Sequence, residues 1–226
     1  MEEFPQVLAI ASRGIHLWAS VGVHPDSEDV HEPSADELLQ IVRAHPGKVV
    51  AIGETGLDYY RLNGRSLQDM HWQRERFRTH IAAARESGLP LVIHTRAASE
   101  DTLRILREEG AGQGALCGVF LCFTETVEVA QAALALGFYI SLSGILTFRN
   151  AETVKEVARL VPDDRLLVET DSPYLAPVPH RGKTNTPALV PHVAAELARL
   201  RGRTPEEMAA LTTENFRRLF GVELPA

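Results

Sequence analysis

Short apolar, β-branched runs alternate with segments of helical periodicity along almost all of this 226-residue chain. Each run of about five residues is typical of a buried parallel strand, and each intervening segment is typical of a helix that covers the sheet. The strands predicted in this way are residues 15–23, 49–53, 91–94, 117–122, 138–142 and 166–169. The alternation therefore predicts an α/β fold with a parallel sheet.

Helices are predicted between these strands, and two more close the chain without a strand between them. They span residues 34–44, 68–87, 100–108, 127–136, 151–160, 187–200 and 205–220. Ser34 and Ser99 are expected to be N-caps without a complete capping box, and Gly88 is expected to end a helix. No linker or composition break divides the sequence, so residues 1–226 are predicted to form one domain. Six βα units fit either an open doubly wound sheet or a (β/α) barrel that lacks some strands.

Composition excludes several classes of protein. The net charge of −7 provides no general attraction for nucleic acid, so any contact with phosphate requires a local cationic patch or a metal. The only two cysteines, Cys117 and Cys122, fit neither a disulfide framework nor a zinc signature, and we expect both to be buried, reduced thiols. No apolar run approaches the roughly 20 residues of a membrane span, and the first residues do not resemble a signal peptide. We therefore expect a cytoplasmic protein without membrane contact.

Polar side chains follow the predicted strands at their carboxyl ends, where parallel α/β proteins place their active sites. Carboxylates and imidazoles dominate this set, without a Ser-His-Asp arrangement or a glycine-rich phosphate loop. Such side chains, converging from separate strands, are the ligand set of a divalent cation, with Zn²⁺, Mn²⁺ and Mg²⁺ all compatible. The set predicts metal-assisted hydrolysis, in which a carboxylate accepts the proton of an activated water. The polar residues at the strand ends, among which the Glu, His and Asp side chains are the candidate ligands, are His24, Glu54, Asp58, His94, Arg96, Cys122, Thr124, Ser141, Ser143, Glu169 and Asp171.

Each of the main candidates has a structural alternative. Glu54 could cap a turn, His94 could be a hydrogen-bonded core histidine, and Asp171 could be a turn residue before Ser-Pro. Their places after buried strands favour the functional interpretation. His24 is equally compatible with a place in the ligand shell and with a turn. Three further histidines lie in helical segments and are expected to be solvated: His71, His80 and His192.

The segment ETDSPYLAPVPHRGK at residues 169–183 combines an acid pair after a strand with a loop that carries prolines, a histidine and two cations. A carboxylate at the end of a buried strand is suited to catalysis, and the cations behind it are suited to holding an anion. This segment therefore predicts a catalytic carboxylate, Asp171, beside a phosphate-holding loop.

Several motifs, taken together and in order, closely resemble the TatD family of metal-dependent deoxyribonucleases. The resemblance covers essentially the whole chain. The motifs are GVHPD at residues 22–26, AIGETGLDYY at 51–60, LPLVIHTR at 89–96, GFYISLSGILTFRNA at 137–151, ETDSPYLAPVPHRGK at 169–183 and TTENFRRLF at 212–220.

The resemblance implies a TIM-like (β/α) barrel of the metal-dependent hydrolase type, one or two divalent metals, and hydrolysis of phosphodiester bonds in DNA. It implies that Glu54 is a metal ligand, in a bridging position, and that His94 ligates the second metal. Asp171 would ligate the first metal and activate the water. The remaining residues would contact substrate near the site: His24, Arg96, His180, Arg181 and Lys183. No obligate protein partner is indicated.

The chain departs from the family pattern in two places. The family begins with a strand that ends in a His-x-His pair of metal ligands, whereas Met1 to Pro5 of this chain resemble the helix before the family's third strand. The first two βα units are therefore predicted to be lacking. Leu121 stands where the pattern has a histidine that ligates the second metal. Cys122 is not expected to replace it, because adjacent strand residues point to opposite faces.

These departures leave three hypotheses open. The first is a TatD-type deoxyribonuclease, which we expect to be weakly active in the chain as written. The second is a catalytically impaired scaffold that binds a ligand or partner, and measured metal affinity separates it from the first. The third is a hydrolase of the same superfamily that acts on another ester or an amide, which a panel of substrates would reveal.

Overall fold

A computed structural model describes residues 1–114 and 116–224 of the chain. Helices and strands alternate in it as predicted. The strands are β1 (Ala19–Val21), β2 (Val49–Asp58), β3 (Leu91–Arg96), β4 (Gly118–Phe120), β5 (Tyr139–Leu142) and β6 (Leu166–Val168). The helices are α1 (Phe4–Ala11), α2 (Ala35–Ala44), α3 (His71–Ser87), α4 (Ser99–Glu108), α5 (Val127–Ala135), α6 (Glu152–Leu160), α7 (Val190–Arg201) and α8 (Pro205–Phe220).

The chain divides into two compact units. The first comprises Met1–Val119 with Leu219–Ala226, and the second comprises Phe120–Arg218. In the first unit β1 pairs with β2 and β2 pairs with β3, both in parallel. In the second unit β5 pairs with β6, also in parallel. The α/β class with six strands and parallel pairing is confirmed. A single domain, closure into a barrel and the lack of two N-terminal βα units stay predictions.

Each unit has its own apolar core. In the first, Ile52 and Leu57 of β2, Phe77 of α3 and Ile93 of β3 are completely buried. In the second, the rings of Phe120 and Phe138 meet edge to face with centroids 5.7 Å apart, a favourable arrangement for two buried aromatic rings. The strands are thus held by apolar packing, and the polar residues described below lie along and beyond them. No helix among the described residues is long and apolar enough to cross a bilayer.

The predicted bounds of β1 and β2 need correction. β1 begins only at Ala19, and Ile15, which was assigned to that strand, is 80% exposed. β2 continues five residues past its predicted end at Gly53 and reaches Asp58. Glycine weakens a strand and usually marks an interruption, which is why the sequence favoured an earlier end.

The burial predicted for the two cysteines is also wrong, although neither is in a disulfide bond. Cys117 is exposed and Cys122 is partly exposed. Cys117 lies just before β4, outside the apolar run that β4 buries.

Helix α3 buries one of its faces within the first unit, and a histidine lies on that face. His80, expected to be solvated, is completely buried. Its Nδ1 lies 2.8 Å from the carbonyl oxygen of Arg76, and its Nε2 accepts a hydrogen bond from the amide of Val23 at 3.0 Å. Burial lowers the pKa of His80 to about 4, because the charged ring would lose its hydration. His71 is exposed, as predicted, and His192 is half-buried.

Local signals at helix ends behave mostly as expected. Gly88 ends α3 in the left-handed conformation, with φ of 71°, and its amide bonds the carbonyl oxygen of Ala84. At α2, Ser34 and Glu37 form a complete capping box, contrary to our expectation, because each side chain accepts the other residue's amide proton. At α4 the N-cap position is Ala98, so Ser99 is the first helical residue and not the cap.

Candidate metal centre

A β-bulge in the middle of β2 presents Glu54. Gly53 pairs with Val92 and Thr55 pairs with Ile93, so Glu54 is an extra residue that has no partner on β3. A bulge bends its strand and redirects the side chain of the extra residue. Gly56, at φ of 133°, makes the close strand approach possible, because a Cβ there would overlap the carbonyl oxygen of His94. The bulge therefore sets Glu54 against the end of β3.

Glu54, His94 and His24 form a compact cluster in the first unit. Glu54 Oε1 lies 3.1 Å from His94 Nδ1 and 3.6 Å from His24 Nε2. The two imidazoles are 3.3 Å apart between His24 Nε2 and His94 Nδ1. One potential ligand atom from each of the three residues falls within 4.8 Å of the others, a spacing compatible with a single metal ion. The structure thus brings together two predicted ligands and one predicted neighbour.

The tautomer of His24 follows from its other ring nitrogen. The amide of Asp26 donates to His24 Nδ1 at 3.1 Å, so Nδ1 is an acceptor. In the neutral ring the proton is therefore on Nε2, which faces Glu54 and His94. In this state the Nε2–H of His24 faces the Glu54 carboxylate, with Nε2 3.6 Å from Oε1. This agrees with the expectation that it lies beside the ligands.

Asp58 orients His94. Its Oδ2 lies 3.0 Å from His94 Nε2, and its side chain is only 5% exposed. Asp58 is held in turn, because its Oδ1 accepts the amide proton of Tyr60 at 2.9 Å and its own amide donates to Gln73 at 2.9 Å. The sequence placed Asp58 at the strand end but gave it no role. The available signal was spacing, since residues 54 and 58 are separated by an even number along a strand and tend to share a face.

Hydrogen bonding sets the charges of the cluster. Burial alone would raise the pKa of Glu54, but hydrogen bonds from His24 and His94 outweigh it and bring the pKa to about 2. Burial alone would lower the pKa of His94, but hydrogen bonds to Asp58 and Glu54 raise it to about 9. For Asp58, burial is likewise outweighed by the hydrogen bond from His94, and its pKa is lowered. Without a cation, two carboxylates thus enclose an imidazolium.

This donor set fits a divalent cation. A carboxylate and imidazole nitrogens suit Zn²⁺ and Mn²⁺, and an oriented histidine whose second nitrogen donates to a carboxylate is the usual arrangement at metal sites. With Nε2–H held by Asp58, Nδ1 of His94 is the nitrogen that would face the ion beside Glu54. The proton that Nδ1 shares with Glu54 would have to leave.

Arg96, predicted to contact substrate, ends β3 two residues after His94. Alternate strand residues share a face, so Arg96 and His94 point to the same side. The guanidinium of Arg96 lies 3.6 Å from the ring centroid of Tyr60, itself 61% exposed. This stacked pair places a positive charge beside the candidate metal centre.

Asp171 belongs to the second unit, where it follows β6 in a left-handed conformation with φ of 57°. Asn185 organises this turn, since its amide group donates to the carbonyl oxygens of Thr170 and Tyr174, both at 2.6 Å. Asn185 is 2% exposed, and the sequence had not singled it out. Its only signal was a position just after the predicted loop. Glu169, the other member of the acid pair, accepts a hydrogen bond from the amide of Cys122.

The three predicted phosphate contacts lie in the loop that follows Asp171. Backbone hydrogen bonds close it, from His180 to Pro177 and from Lys183 to His180. His180 Nε2 lies 3.2 Å from Nε2 of His192. The guanidinium of Arg181 lies 3.8 Å from the centroid of the Phe148 ring.

The segment around Leu121 differs from its prediction. β4 ends at Phe120, and Leu121 and Cys122 lie in a turn. Cys122 has φ of 44° and its thiol lies 3.2 Å from the hydroxyl of Ser143. The argument from alternating strand faces is therefore wrong for this pair, because neither residue is in a strand.

Comparison with known proteins finds a family model and relatives that match most of the chain. A family model described as "TatD related DNase" matches residues 1–221. The chain is 53% identical over 205 residues to "uncharacterized metal-dependent hydrolase YcfH" of Escherichia coli K12, covering 90% of this chain and 74% of the relative. It is 34% identical over 228 residues to "3'-5' ssDNA/RNA exonuclease TatD" of Salmonella typhimurium, covering 98% and 85%.

A solved structure closely resembles this protein. The crystal structure of YJJV, a TatD homolog from Escherichia coli K12, superimposes with a TM-score of 0.87 at 29% sequence identity. The match covers 98% of this chain and 83% of that one. A family model over 221 residues and a relative at 53% identity lead to one conclusion: this chain belongs to the TatD-related DNase family of metal-dependent hydrolases.

Proposed function

We propose that this protein hydrolyses phosphodiester bonds in DNA with the help of a divalent cation held at Glu54 and His94. The observation that carries the proposal is the cluster on the β2 bulge, in which Glu54, His94 and His24 converge and Asp58 fixes His94. The Salmonella relative, which is named as a 3'-5' exonuclease of single-stranded DNA and RNA, supports the choice of substrate.

Each residue of the candidate site has its own role in this proposal. Glu54 and His94 hold the cation, and the resemblance to the family assigns to Asp171 the carboxylate that accepts the proton of the attacking water. The cation, when bound, would polarise the phosphodiester and acidify that water. Asp58 keeps the His94 ring in one orientation, and the Nε2–H of His24 stabilises the negative charge on Glu54.

Substrate binding is proposed to depend on local cations, because the net charge of −7 opposes a polyanion. The cations assigned to this role are Arg96, Arg181 and Lys183, with His180 as a hydrogen-bond donor. An arginine can grip a phosphate through two parallel hydrogen bonds, which orients as well as attracts it.

The proposal is tested by following a 5'-labelled single-stranded oligonucleotide after the protein is stripped with chelator and given back Mg²⁺, Mn²⁺ or Zn²⁺. Wild type should degrade it only with metal, and E54Q and H94Q should lose at least about 100-fold in rate because each removes a ligand. H71Q, which alters an exposed histidine of α3, is the matched control and should match wild type. Equal degradation by E54Q, or none by wild type with any metal, would contradict the proposal.

Leu121 supports a second candidate, a scaffold that binds without hydrolysing, since the family pattern has a metal-ligating histidine there. On that hypothesis wild type would bind the oligonucleotide without cleaving it, and Leu121→His would be the first variant to examine for a gain of cleavage. A hydrolase for another ester or an amide is the remaining alternative, which the cations of the 177–183 loop disfavour.

A further inference from the structure

We propose that a cavity in the second unit is a binding site for one nucleotide of a single-stranded nucleic acid, and that Arg149 and Arg181 bind this nucleotide. The cavity has a volume of about 640 Å³ and is lined by these arginines together with Phe148, Asn150, Thr153 and Ile145. None of these residues belongs to the Glu54 cluster. The identity of the ligand rests on the proposed function, but the cavity and its lining do not depend on that function.

The charge of the cavity points to an anion. Among the described residues, neither Arg149 nor Arg181 has a carboxylate within the 4.0 Å of an ion pair. Elsewhere on the same unit Arg159, Arg199 and Arg217 are each paired with a glutamate. Two unpaired guanidinium groups on one concave surface leave positive charge where a phosphate could be held by paired hydrogen bonds.

The segments that carry the two arginines are joined before any ligand arrives. The guanidinium of Arg181 stacks on Phe148, at 3.8 Å from its centroid, and Arg149 follows Phe148 directly in the chain. The amide of Val178 donates to Thr147 Oγ1 at 2.9 Å, and that hydroxyl donates to the carbonyl oxygen of Gly144 at 2.7 Å. These bonds tie the loop of Arg181 to the segment of Arg149. A site fixed in this way loses less entropy on binding.

The rest of the lining suits a nucleotide better than a bare phosphate. Asn150 and Thr153 provide neutral hydrogen-bonding groups, and Ile145 and Phe148 provide apolar surface. The volume falls in the range of about 300–1,000 Å³ that is usual for small-molecule sites. Arginine planes and aromatic rings are also the surfaces on which unpaired bases stack. Phosphate, sugar and base therefore each find a complementary group.

The inference is tested by binding without catalysis. Fluorescence anisotropy of a labelled octathymidylate, measured in chelator so that no hydrolysis occurs, gives the affinity of wild type and variants. R149A and R181A should each weaken binding by about tenfold or more, since hydrogen bonds to charged groups are lost. R107A, an exposed arginine of α4 in the first unit, is the matched control and should bind as wild type does. Circular dichroism melting confirms that each variant is folded.

Three further measurements specify the ligand. For each phosphate contact that is removed, the slope of log affinity against log salt should become shallower by about 0.7. R149K, which keeps the charge but not the paired donors, should fall between wild type and R149A. Thymidine monophosphate should compete with the octamer better than inorganic phosphate does.

The outcomes separate this inference from the proposed function. If R149A and R181A bind the octamer no more weakly than R107A does, the inference is wrong even if the protein degrades DNA. If wild type binds the octamer through these arginines but never cleaves it, the proposed function fails and the site stands. If wild type binds neither the octamer nor thymidine monophosphate, the inference is overturned.

Discussion

At the scale of single residues, the centre depends on which nitrogen of His94 is available. Asp58 holds Nε2, so Nδ1 faces Glu54, and Nε2 of His24 lies 3.6 Å from the same carboxylate oxygen. The sequence could predict Glu54 and His94 from their positions after buried strands. The sequence did not predict that Asp58 orients His94, because only the continuation of β2 to residue 58 brings this carboxylate to the His94 ring.

Metal binding should release a proton. The pKa of His94, raised to about 9, means that its ring is protonated at neutral pH, so a cation has to displace that proton. Affinity should therefore increase as pH rises toward 9 and weaken below it. Calorimetry of Zn²⁺ binding at pH 7, in two buffers of different ionisation enthalpy, should give different heats. D58N should bind about 10–100-fold more weakly, since an orienting partner is lost. Identical heats in both buffers would contradict this account.

His80 should make the fold acid-sensitive. Its folded pKa of about 4 lies below the value of 6.5 for an unperturbed histidine, so the unfolded chain binds the proton more readily. The stability that this residue contributes is complete above pH 6.5 and is lost as pH falls toward 4, by roughly 3 kcal/mol in total. Urea unfolding at pH 7 and pH 5 should show a smaller pH-dependent loss for H80Q than for wild type.

The matched variant for this measurement is H71Q, which removes an exposed histidine from the same helix. It should keep the pH dependence of wild type. If H80Q and wild type lose the same free energy of unfolding between pH 7 and pH 5, His80 is not the group responsible.

At the scale of elements, β2 explains both what the sequence predicted and what it missed. The run Val49–Ile52 is apolar and β-branched, so the strand itself was evident. The following Gly-Glu-Thr-Gly resembles a turn, and only pairing with β3 keeps it extended around the bulge. Burial of His80 was missed for a related reason, because helical periodicity identifies a face but not the partner that satisfies a polar group on it.

Gly56 should be required for this element. Alanine there would adopt an unfavourable φ and would press its Cβ against the carbonyl oxygen of His94, forcing β2 and β3 apart at the centre. G56A should lower the free energy of unfolding by more than about 1 kcal/mol and weaken Zn²⁺ binding as well. Denaturant unfolding and calorimetry measure the two effects.

G64A controls for backbone conformation alone. Gly64 also has positive φ, at 82°, but a Cβ there would meet nothing within 4 Å. The G64A variant should therefore have a lower free energy of unfolding than wild type but the same affinity for Zn²⁺. If G56A and G64A behave alike in both measurements, close approach of the strands is not what Gly56 provides.

At the scale of the whole molecule, the alternation of apolar runs was sufficient for the α/β class and for the number of strands, because it records which segments must be buried. The ordered motifs were sufficient for the family, which the comparisons confirm over residues 1–221. Neither the alternation of apolar runs nor the motifs identify the substrate. On the proposal made above, an acidic protein binds a polyanion through Arg149 and Arg181, which only the folded chain brings to one cavity.

The central claim is that the bulge of β2 builds a divalent-metal centre, and calorimetric titration of Zn²⁺ into metal-free protein tests it most directly. Wild type should bind with a defined stoichiometry, and E54Q should bind at least about tenfold more weakly because it loses the carboxylate that the bulge presents. E75Q, which alters an exposed glutamate of α3, should bind as wild type does. Equal affinity of wild type and E54Q, or no binding by wild type, would contradict the claim.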